Sequence, residues 1–203
     1  MSARSPIDFY FDLSSPYAYF AAQWITEVAR RHARPLRWHA VLLGVLFQRA
    51  ELKPPVLHPV KGDYMRRDFA RSARFEGIAY CEPDRFPIPT QNAARVFWWL
   101  HDTRGPAAAE HWAQACFAAL FTRNVPLDEP AGLKALADEA GVGGALAEQV
   151  WNDPAWKQRL KQANDDAAAS GVFGAPFFIV DGEPFWGNDR RAQLERWLAD
   201  GPF

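Results

Sequence analysis

Residues 7–20 constrain the fold more strongly than any other stretch of this sequence. Residues 7–11 are mostly apolar and aromatic, which predicts a buried β-strand that ends at Asp12. Ser15 is a favourable helix N-cap, because its hydroxyl can accept a hydrogen bond from an unpaired helix N–H, and Pro16 suits the first helical position. A strand, a tight turn and a helix N-terminus together favour a bound anion. Ser15 therefore has two interpretations, a helix cap alone or a cap that also holds a ligand.

The segment that follows predicts a βαβ unit. Apolar residues recur at helical spacing from Tyr17 to Val28, and Arg30 and Arg31 lie near the end, which indicates one helix of about sixteen residues. Apolar and polar residues then alternate over residues 36–42, as in a half-buried strand. Two strands joined through a helix in this way pair in parallel with a right-handed crossover.

Helical patterns fill the middle of the chain. A proline-rich loop at residues 53–62 comes first, and Thr90 is predicted to cap one of the helices that follow. The other predicted helices cover about 63–74, 107–123, 130–140, 144–151 and 155–169. Residues 45–170 therefore form an all-helical block without strand patterns.

Strand patterns return near the end of the sequence. Asp181 and Gly182 separate two β-prone runs and are typical of a type I′ hairpin turn. Pro184 favours an edge position for the second strand, and a final helix follows. The order βαβ, helical block, ββα predicts an α/β protein with a thioredoxin-like fold and a large all-helical insertion. We expect a thioredoxin-like domain of residues 1–44 and 171–203, with residues 45–170 as the inserted domain.

Composition excludes several classes of protein. The net charge of −1 provides no field for nucleic acid or an anionic membrane, and no apolar run approaches the ~18 residues of a membrane span. Residues 1–6 lack the apolar core of ~7–15 residues that a signal peptide needs. Cys81 and Cys116 form no Cys-x-x-Cys pair, and the five histidines show no ligand spacing. We therefore expect free buried thiols, no metal site and a cytoplasmic protein.

Three motifs together resemble one family. They cover residues 9–20, 171–178 and 185–190, and they are similar to the DsbA-like branch of thioredoxin folds that contains 2-hydroxychromene-2-carboxylate isomerases and kappa-class glutathione transferases. The resemblance extends over nearly the whole chain, insertion included. Redox members of this branch carry Cys-Pro-x-Cys at the turn, where this chain has Ser15-Pro16-Tyr17-Ala18. Because dithiol exchange needs an attacking and a resolving thiol, this turn cannot perform it.

The resemblance implies glutathione as the cofactor and Ser15 as the catalytic residue. In the isomerases and kappa transferases, a serine at this position activates the glutathione sulfur. We interpret Ser15 as a hydrogen-bond donor to the thiolate, because no base is evident beside it in the sequence that would make its oxygen a nucleophile. A hydroxyl donor and a helix N-terminus both favour the charged sulfur and so lower the pKa of the thiol. Ser14 is the less favoured neighbour, since Ser15 directly precedes the proline.

The resemblance also implies three further contacts to glutathione. The backbone of Ala175, next to a cis peptide bond at Pro176, would pair with the cysteinyl backbone. Asn188 and Asp189 would hold the γ-glutamyl group, with Asp189 paired to its ammonium. Lys61 would contact the glycyl carboxylate.

Contacts to a substrate are expected from another part of the sequence. The candidate side chains are those of Tyr17, Lys53, Gln91 and Asn92. Leu52 and Pro89 stand where members of the family often have asparagine, so the substrate contacts depart from the family pattern more than the glutathione contacts do.

The function implied by the resemblance is a glutathione-dependent isomerase that acts on 2-hydroxychromene-2-carboxylate or a similar intermediate of aromatic catabolism. One alternative is a kappa-like glutathione transferase or peroxidase, which consumes the thiol. Another is a non-catalytic module that binds glutathione or a peptide. The resemblance also implies a homodimer, with which the nine tryptophans and fifteen phenylalanines are compatible.

Overall fold

Four strands form one mixed sheet in the computed structural model, which describes residues 5–203. Residues 1–4 of the segment considered for a signal peptide lie outside the described residues. The strands are β1 (Ile7–Phe11), β2 (Leu36–Ala40), β3 (Phe177–Val180) and β4 (Glu183–Trp186). Their order is β2-β1-β3-β4. Strand β2 is parallel to β1, whereas β3 is antiparallel to both β1 and β4. Strand β4 lies at the edge of the sheet, as Pro184 predicts.

Ten α-helices accompany the sheet within residues 5–203. They are α1 (Pro16–Ala22), α2 (Ile25–Arg31), α3 (Leu43–Arg49), α4 (Lys61–Glu76), α5 (Gln91–Arg104), α6 (Pro106–Arg123), α7 (Pro130–Glu139), α8 (Gly144–Asn152), α9 (Pro154–Ala169) and α10 (Arg191–Asp200). Short 3-10 turns cover Pro55–Leu57 and Asn188–Arg190. No helix in the described part of the chain is long and apolar enough to cross a membrane.

The prediction of a single helix after β1 is wrong, because this segment forms two helices, α1 and α2. The backbone N–H groups of Gln23 and Trp24 bond to carbonyls three residues back, at 3.1 Å each, so the last turn of α1 tightens and ends there. The Trp24 indole donates to the Asn188 side chain at 2.8 Å, and its ring packs 5.3 Å from Phe178. These tertiary contacts, which no local pattern reveals, accompany the break.

Two helix starts also differ from their predictions. Helix α4 begins at Lys61 rather than at residue 63, and the His58 ring nitrogen accepts hydrogen bonds from two backbone N–H groups at this start. Thr90 directly precedes α5, but its hydroxyl makes no capping bond. It donates instead to Asp12, at 3.0 Å. At Thr90, a long-range hydrogen bond therefore replaces the local cap expected from the sequence.

One apolar core joins the sheet to the helical insertion. Phe9 on β1 stacks on Phe178 of β3 at 5.2 Å. Phe11, on the same strand face, contacts Phe97 of α5 at 5.3 Å and Phe117 of α6 at 5.7 Å. The sheet of the thioredoxin-like part therefore completes its core with helices of the insertion. The boundary predicted at residue 44 falls inside α3, and the division into two domains stays a prediction.

The cysteines occupy different environments. Cys116 is fully buried on α6, and burial raises the pKa of its thiol well above its usual value. Cys81 is half-buried, and both thiols are free.

Helix α4 offers a matched test of how its packing contributes to stability. Phe69 is 1% exposed and contacts Tyr17 of α1 edge-on at 4.9 Å, whereas Phe75 on the same helix is 90% exposed. We expect Phe69→Ala to lower the free energy of unfolding by about 3–5 kcal/mol, because it leaves a cavity. Phe75→Ala should change it by no more than about 0.5 kcal/mol. Urea unfolding of both variants measures the difference, and equal losses would contradict the packing described.

Candidate active site

The turn after β1 is built around the buried carboxylate of Asp12, which is 3% exposed. One oxygen accepts hydrogen bonds from the Ser14 backbone N–H at 2.7 Å, the Ser14 hydroxyl at 2.8 Å and the Thr90 hydroxyl at 3.0 Å. The other oxygen accepts the Leu43 backbone N–H at 2.6 Å. A single side chain thus joins the turn to the start of α3 and the start of α5. The sequence pattern marks Asp12 only as the end of the strand, although an aspartate two residues before a serine is typical of a side chain that bonds its own turn.

Ser15 caps α1, as predicted, and its hydroxyl also reaches a second segment. Its backbone is extended, with φ −91° and ψ 115°, and its Oγ accepts the Ala18 N–H at 3.2 Å. The hydroxyl hydrogen is directed to the Ala175 carbonyl, also at 3.2 Å. These long bonds involve no ionisable partner. The hydroxyl is therefore a hydrogen-bond donor in this structure, and no base among residues 5–203 is bonded to it that would activate its oxygen as a nucleophile.

The segment opposite Ser15 contains a cis peptide bond between Ala175 and Pro176, as the resemblance implies. A second cis bond, between Phe86 and Pro87, was not predicted. The Pro176 carbonyl accepts the Gly187 backbone N–H at 3.0 Å, which connects this segment to the start of the 3-10 turn before α10. Ser15, Ala175 and the Asn188–Arg190 turn are thus neighbours in space although they are far apart in sequence.

These segments open into one large cleft of about 2150 Å³ between the sheet end, α4 and the proline-rich loop. Much of its wall is apolar and aromatic, with contributions from Phe47, Met65, Phe69, Phe86, Phe173 and Trp186. Trp186 lies over Gly174 so closely that a Cβ at position 174 would clash with the indole. Trp186 and Phe173, both exposed, meet edge-on at 4.9 Å on this wall. A cleft with this lining suits a ligand with a flat apolar portion.

The cations of the cleft fall into two groups. Arg71, Arg190 and Arg191 each form an ion pair with a carboxylate. Lys53 and Lys61 line the cleft without a carboxylate within ion-pair distance among the described residues. The two lysines named from the sequence are therefore the cleft cations available to an anionic ligand.

Tyr17, the second residue of α1, lines the cleft. Its hydroxyl donates to the Asp68 carboxylate on α4, which also receives Arg71. Burial and the hydrogen bond to Asp68 raise the pKa of Tyr17 far above its usual value, so the phenol stays protonated. Tyr17 therefore contributes a ring and a protonated phenol to the cleft.

Asn188 and Asp189 lie on the cleft wall, but their side chains already have partners. The Asn188 amide oxygen accepts the Trp24 indole N–H, and its amide nitrogen donates to Glu76. Asp189 pairs with Arg190 at 2.8 Å and remains mostly exposed. The Asn188 side chain is therefore held between Trp24 and Glu76, and among the described residues the Asp189 carboxylate is held by Arg190 alone.

The remaining candidates divide between the cleft and its surroundings. Gln91 lines the cleft, as do Leu52 and Pro89, which stand where the family often has asparagine. Asn92 lies outside the cleft lining, and its amide oxygen accepts a hydrogen bond from Arg95 at 2.9 Å. No group of His, Cys, Asp and Glu side chains in residues 5–203 is arranged to hold a metal ion.

Comparisons with known proteins place the chain in a family. A model of a DSBA-like thioredoxin domain matches residues 6–199. The chain is 30% identical over 197 residues to 2-hydroxychromene-2-carboxylate isomerase of Sphingobium xenophagum, and the match covers 96% of this chain and 98% of that protein. It is 25% identical over 215 residues to glutathione S-transferase kappa 2 of Caenorhabditis elegans, covering 100% of this chain and 95% of that protein. A solved structure of 2-hydroxychromene-2-carboxylate isomerase superposes with a TM-score of 0.81 at 26% identity, covering 97% and 99% of the two chains.

The chain belongs to the DSBA-like thioredoxin family. Within it, the chain is similar along its full length to 2-hydroxychromene-2-carboxylate isomerases and kappa-class glutathione transferases, both of which are enzymes by name. The resemblance and the thioredoxin-like fold with a helical insertion are thus confirmed.

The four hydrogen bonds at Asp12 lead to a stability prediction. Asp12→Asn replaces one carboxylate oxygen by an amide nitrogen, so at least one buried donor loses its acceptor. We expect the free energy of unfolding to fall by about 1–3 kcal/mol. The exposed Asp84 makes no side-chain hydrogen bond to any of residues 5–203, where only its backbone N–H is bonded, and Asp84→Asn is the matched control. Urea unfolding compares the two, and an Asp12 variant as stable as the control would contradict this role.

Proposed function

We propose that the protein is a glutathione-dependent isomerase that acts on 2-hydroxychromene-2-carboxylate or a similar intermediate of aromatic catabolism. The observation that carries the proposal is the Ser15 hydroxyl, held at the start of α1 and directed at the Ala175 carbonyl in a large, mostly apolar cleft. The turn has no sulfur of its own, so a reaction that needs a thiolate there must use a bound one. The full-length similarity to isomerases of this name supports the choice of reaction.

The cysteinyl part of glutathione would bind along the segment before Pro176. Its N–H would donate to the Ala175 carbonyl, which now receives the long bond from Ser15. The Ser15 hydroxyl would then be free to rotate and donate to the glutathione sulfur. That hydrogen bond and the N-terminus of α1 both favour the thiolate over the thiol, so the pKa of the bound thiol falls.

The two ends of glutathione would lie at opposite sides of the cleft. Lys61, which has no ion-pair partner among the described residues, lies at the start of α4 and would bind the glycyl carboxylate. The backbone N–H groups at the start of the Asn188–Arg190 turn would bind the γ-glutamyl carboxylate. The apolar wall would then surround the organic substrate, with Tyr17, Lys53 and Gln91 as its polar contacts.

The isomerisation proceeds by reversible addition of the thiolate. The sulfur adds to a conjugated carbon of the ring-opened tautomer or of the chromene, and the double bond becomes a single bond about which the molecule rotates. The electron pair then re-forms the double bond and expels the thiolate, which leaves the trans product. Glutathione is regenerated, so it acts as a cofactor and its concentration stays constant.

A kappa-like glutathione transferase is the second candidate. The full-length similarity to glutathione S-transferase kappa 2 and the Lys-Pro-Pro loop of the cleft favour it. The same thiolate site would serve both reactions, and they differ in whether the sulfur leaves again.

The role of Ser15 predicts the effect of removing its hydroxyl. Ser15→Ala should raise the pKa of the bound thiol and lower kcat about ten- to a hundredfold, the contribution of one charge-assisted hydrogen bond. Thiolate absorbance in the ultraviolet and steady-state kinetics measure the two effects. Ser14→Ala is the matched control, because the Ser14 hydroxyl donates to Asp12, and it should keep the thiolate absorbance. Unchanged thiolate absorbance in Ser15→Ala would refute the proposed role.

The fate of the thiol separates the two candidate reactions. With 2-hydroxychromene-2-carboxylate as substrate, we expect turnover to require glutathione while the amount of free thiol stays constant over many cycles. Thiol titration during turnover tests this. Loss of one thiol for each substrate converted would establish a transferase, and equal turnover without glutathione would exclude the thiolate mechanism.

A further inference from the structure

Glu76, the last residue of α4, places its carboxylate on the cleft wall next to the turn that begins at Asn188. One carboxylate oxygen accepts a hydrogen bond from the Asn188 side-chain nitrogen. Asn188 is itself held by the Trp24 indole N–H, at 2.8 Å. The carboxylate is therefore held by a chain of hydrogen bonds through Asn188 to Trp24, in the break between α1 and α2.

The Glu76 carboxylate has further hydrogen-bond acceptor sites, and none of the described residues other than Asn188 donates to them. Glu76 is half-buried, and burial raises the pKa of its carboxyl, although the Asn188 hydrogen bond and the charge of Arg191 oppose that rise. No cation of residues 5–203 lies within ion-pair distance of it. The other ionisable acids of the cleft are satisfied: Asp12 by four hydrogen bonds, and Asp68, Asp189 and Glu195 by ion pairs with arginines. A half-buried carboxylate with spare acceptor capacity favours a cationic ligand.

We propose that Glu76 binds the α-ammonium of the γ-glutamyl group of glutathione. The proposal rests on the function proposed above, in which the α-carboxylate of the same group lies at the start of the Asn188–Arg190 turn. Because Asn188 touches Glu76 directly, an ammonium on that α-carbon lies within reach of the carboxylate. The assignment replaces Asp189 in this role, since the Asp189 carboxylate is mostly exposed and is already paired with Arg190. Glu76 would therefore make the cleft prefer ligands whose γ-linked residue carries an α-ammonium over ligands that lack it.

The test compares two ligands on the wild-type protein. Glutathione and its desamino analogue, glutaryl-cysteinyl-glycine, differ only in the α-ammonium, and isothermal titration calorimetry measures the affinity of each. We expect the analogue to bind wild type about ten- to a hundredfold more weakly, as for one charge-assisted contact. Equal affinities would overturn the proposal and leave the glutathione function intact. Binding of neither ligand would overturn both.

Variants then identify the carboxylate. Glu76→Gln keeps a hydrogen-bond acceptor for Asn188 and removes the charge, so it should lose most of its preference for glutathione while binding the analogue as wild type does. Asp189→Asn should retain the preference. The proposal fails if the preference is lost in Asp189→Asn and kept in Glu76→Gln. It also fails if Glu76→Gln weakens both ligands equally, because that result indicates a structural role.

Discussion

The architecture of the candidate active site depends on one interaction, the hydrogen bonding of the buried Asp12 carboxylate. It receives donors from the turn, from the start of α3 and from the residue before α5. An unpaired carboxylate in that position would be costly, so the segments that supply donors are held together by the need to satisfy it. Ser15 directly follows this turn, and its backbone N–H donates to the Asp12 carbonyl at 2.9 Å. The position of the Ser15 hydroxyl therefore depends on three segments, which are the turn, the start of α3 and the residue before α5.

A redox member of the fold carries its own sulfur at the turn, whereas this chain presents a hydroxyl at the same place. Under the proposed function, this change replaces a group that reacts by a group that orients and stabilises a reactant. The surroundings agree with that role. Among residues 5–203, the Ser15 hydroxyl has no ionisable partner, and Lys53 and Lys61 have no carboxylate within ion-pair distance. Tyr17 is kept protonated by burial and by its hydrogen bond to Asp68. The proposed chemistry thus comes from a borrowed thiolate, and the protein supplies its position and charge stabilisation.

The elements were largely predictable from the sequence because local signals mark them. Periodicity, prolines at helix starts and the Asp181-Gly182 turn indicate the hairpin and most helices correctly. The sequence predictions fail where contacts between distant residues determine the local structure. This is the case at the helix break by Trp24, at Thr90 and at Asp12. Of the candidate site residues, most line one cleft, but Asn92 does not. Glu76 carries no motif, and its place beside Asn188 depends on how α4 packs, which the sequence alone does not reveal.

A crystal structure with bound glutathione tests the central claim most directly, which is that Ser15 holds a borrowed thiolate. We predict sulfur density within about 3.5 Å of the Ser15 Oγ, with the cysteinyl backbone beside Ala175 and the γ-glutamyl group toward Glu76. Sulfur density elsewhere in the cleft, or glutathione bound outside it, would contradict this prediction and leave Ser15 as a helix cap alone.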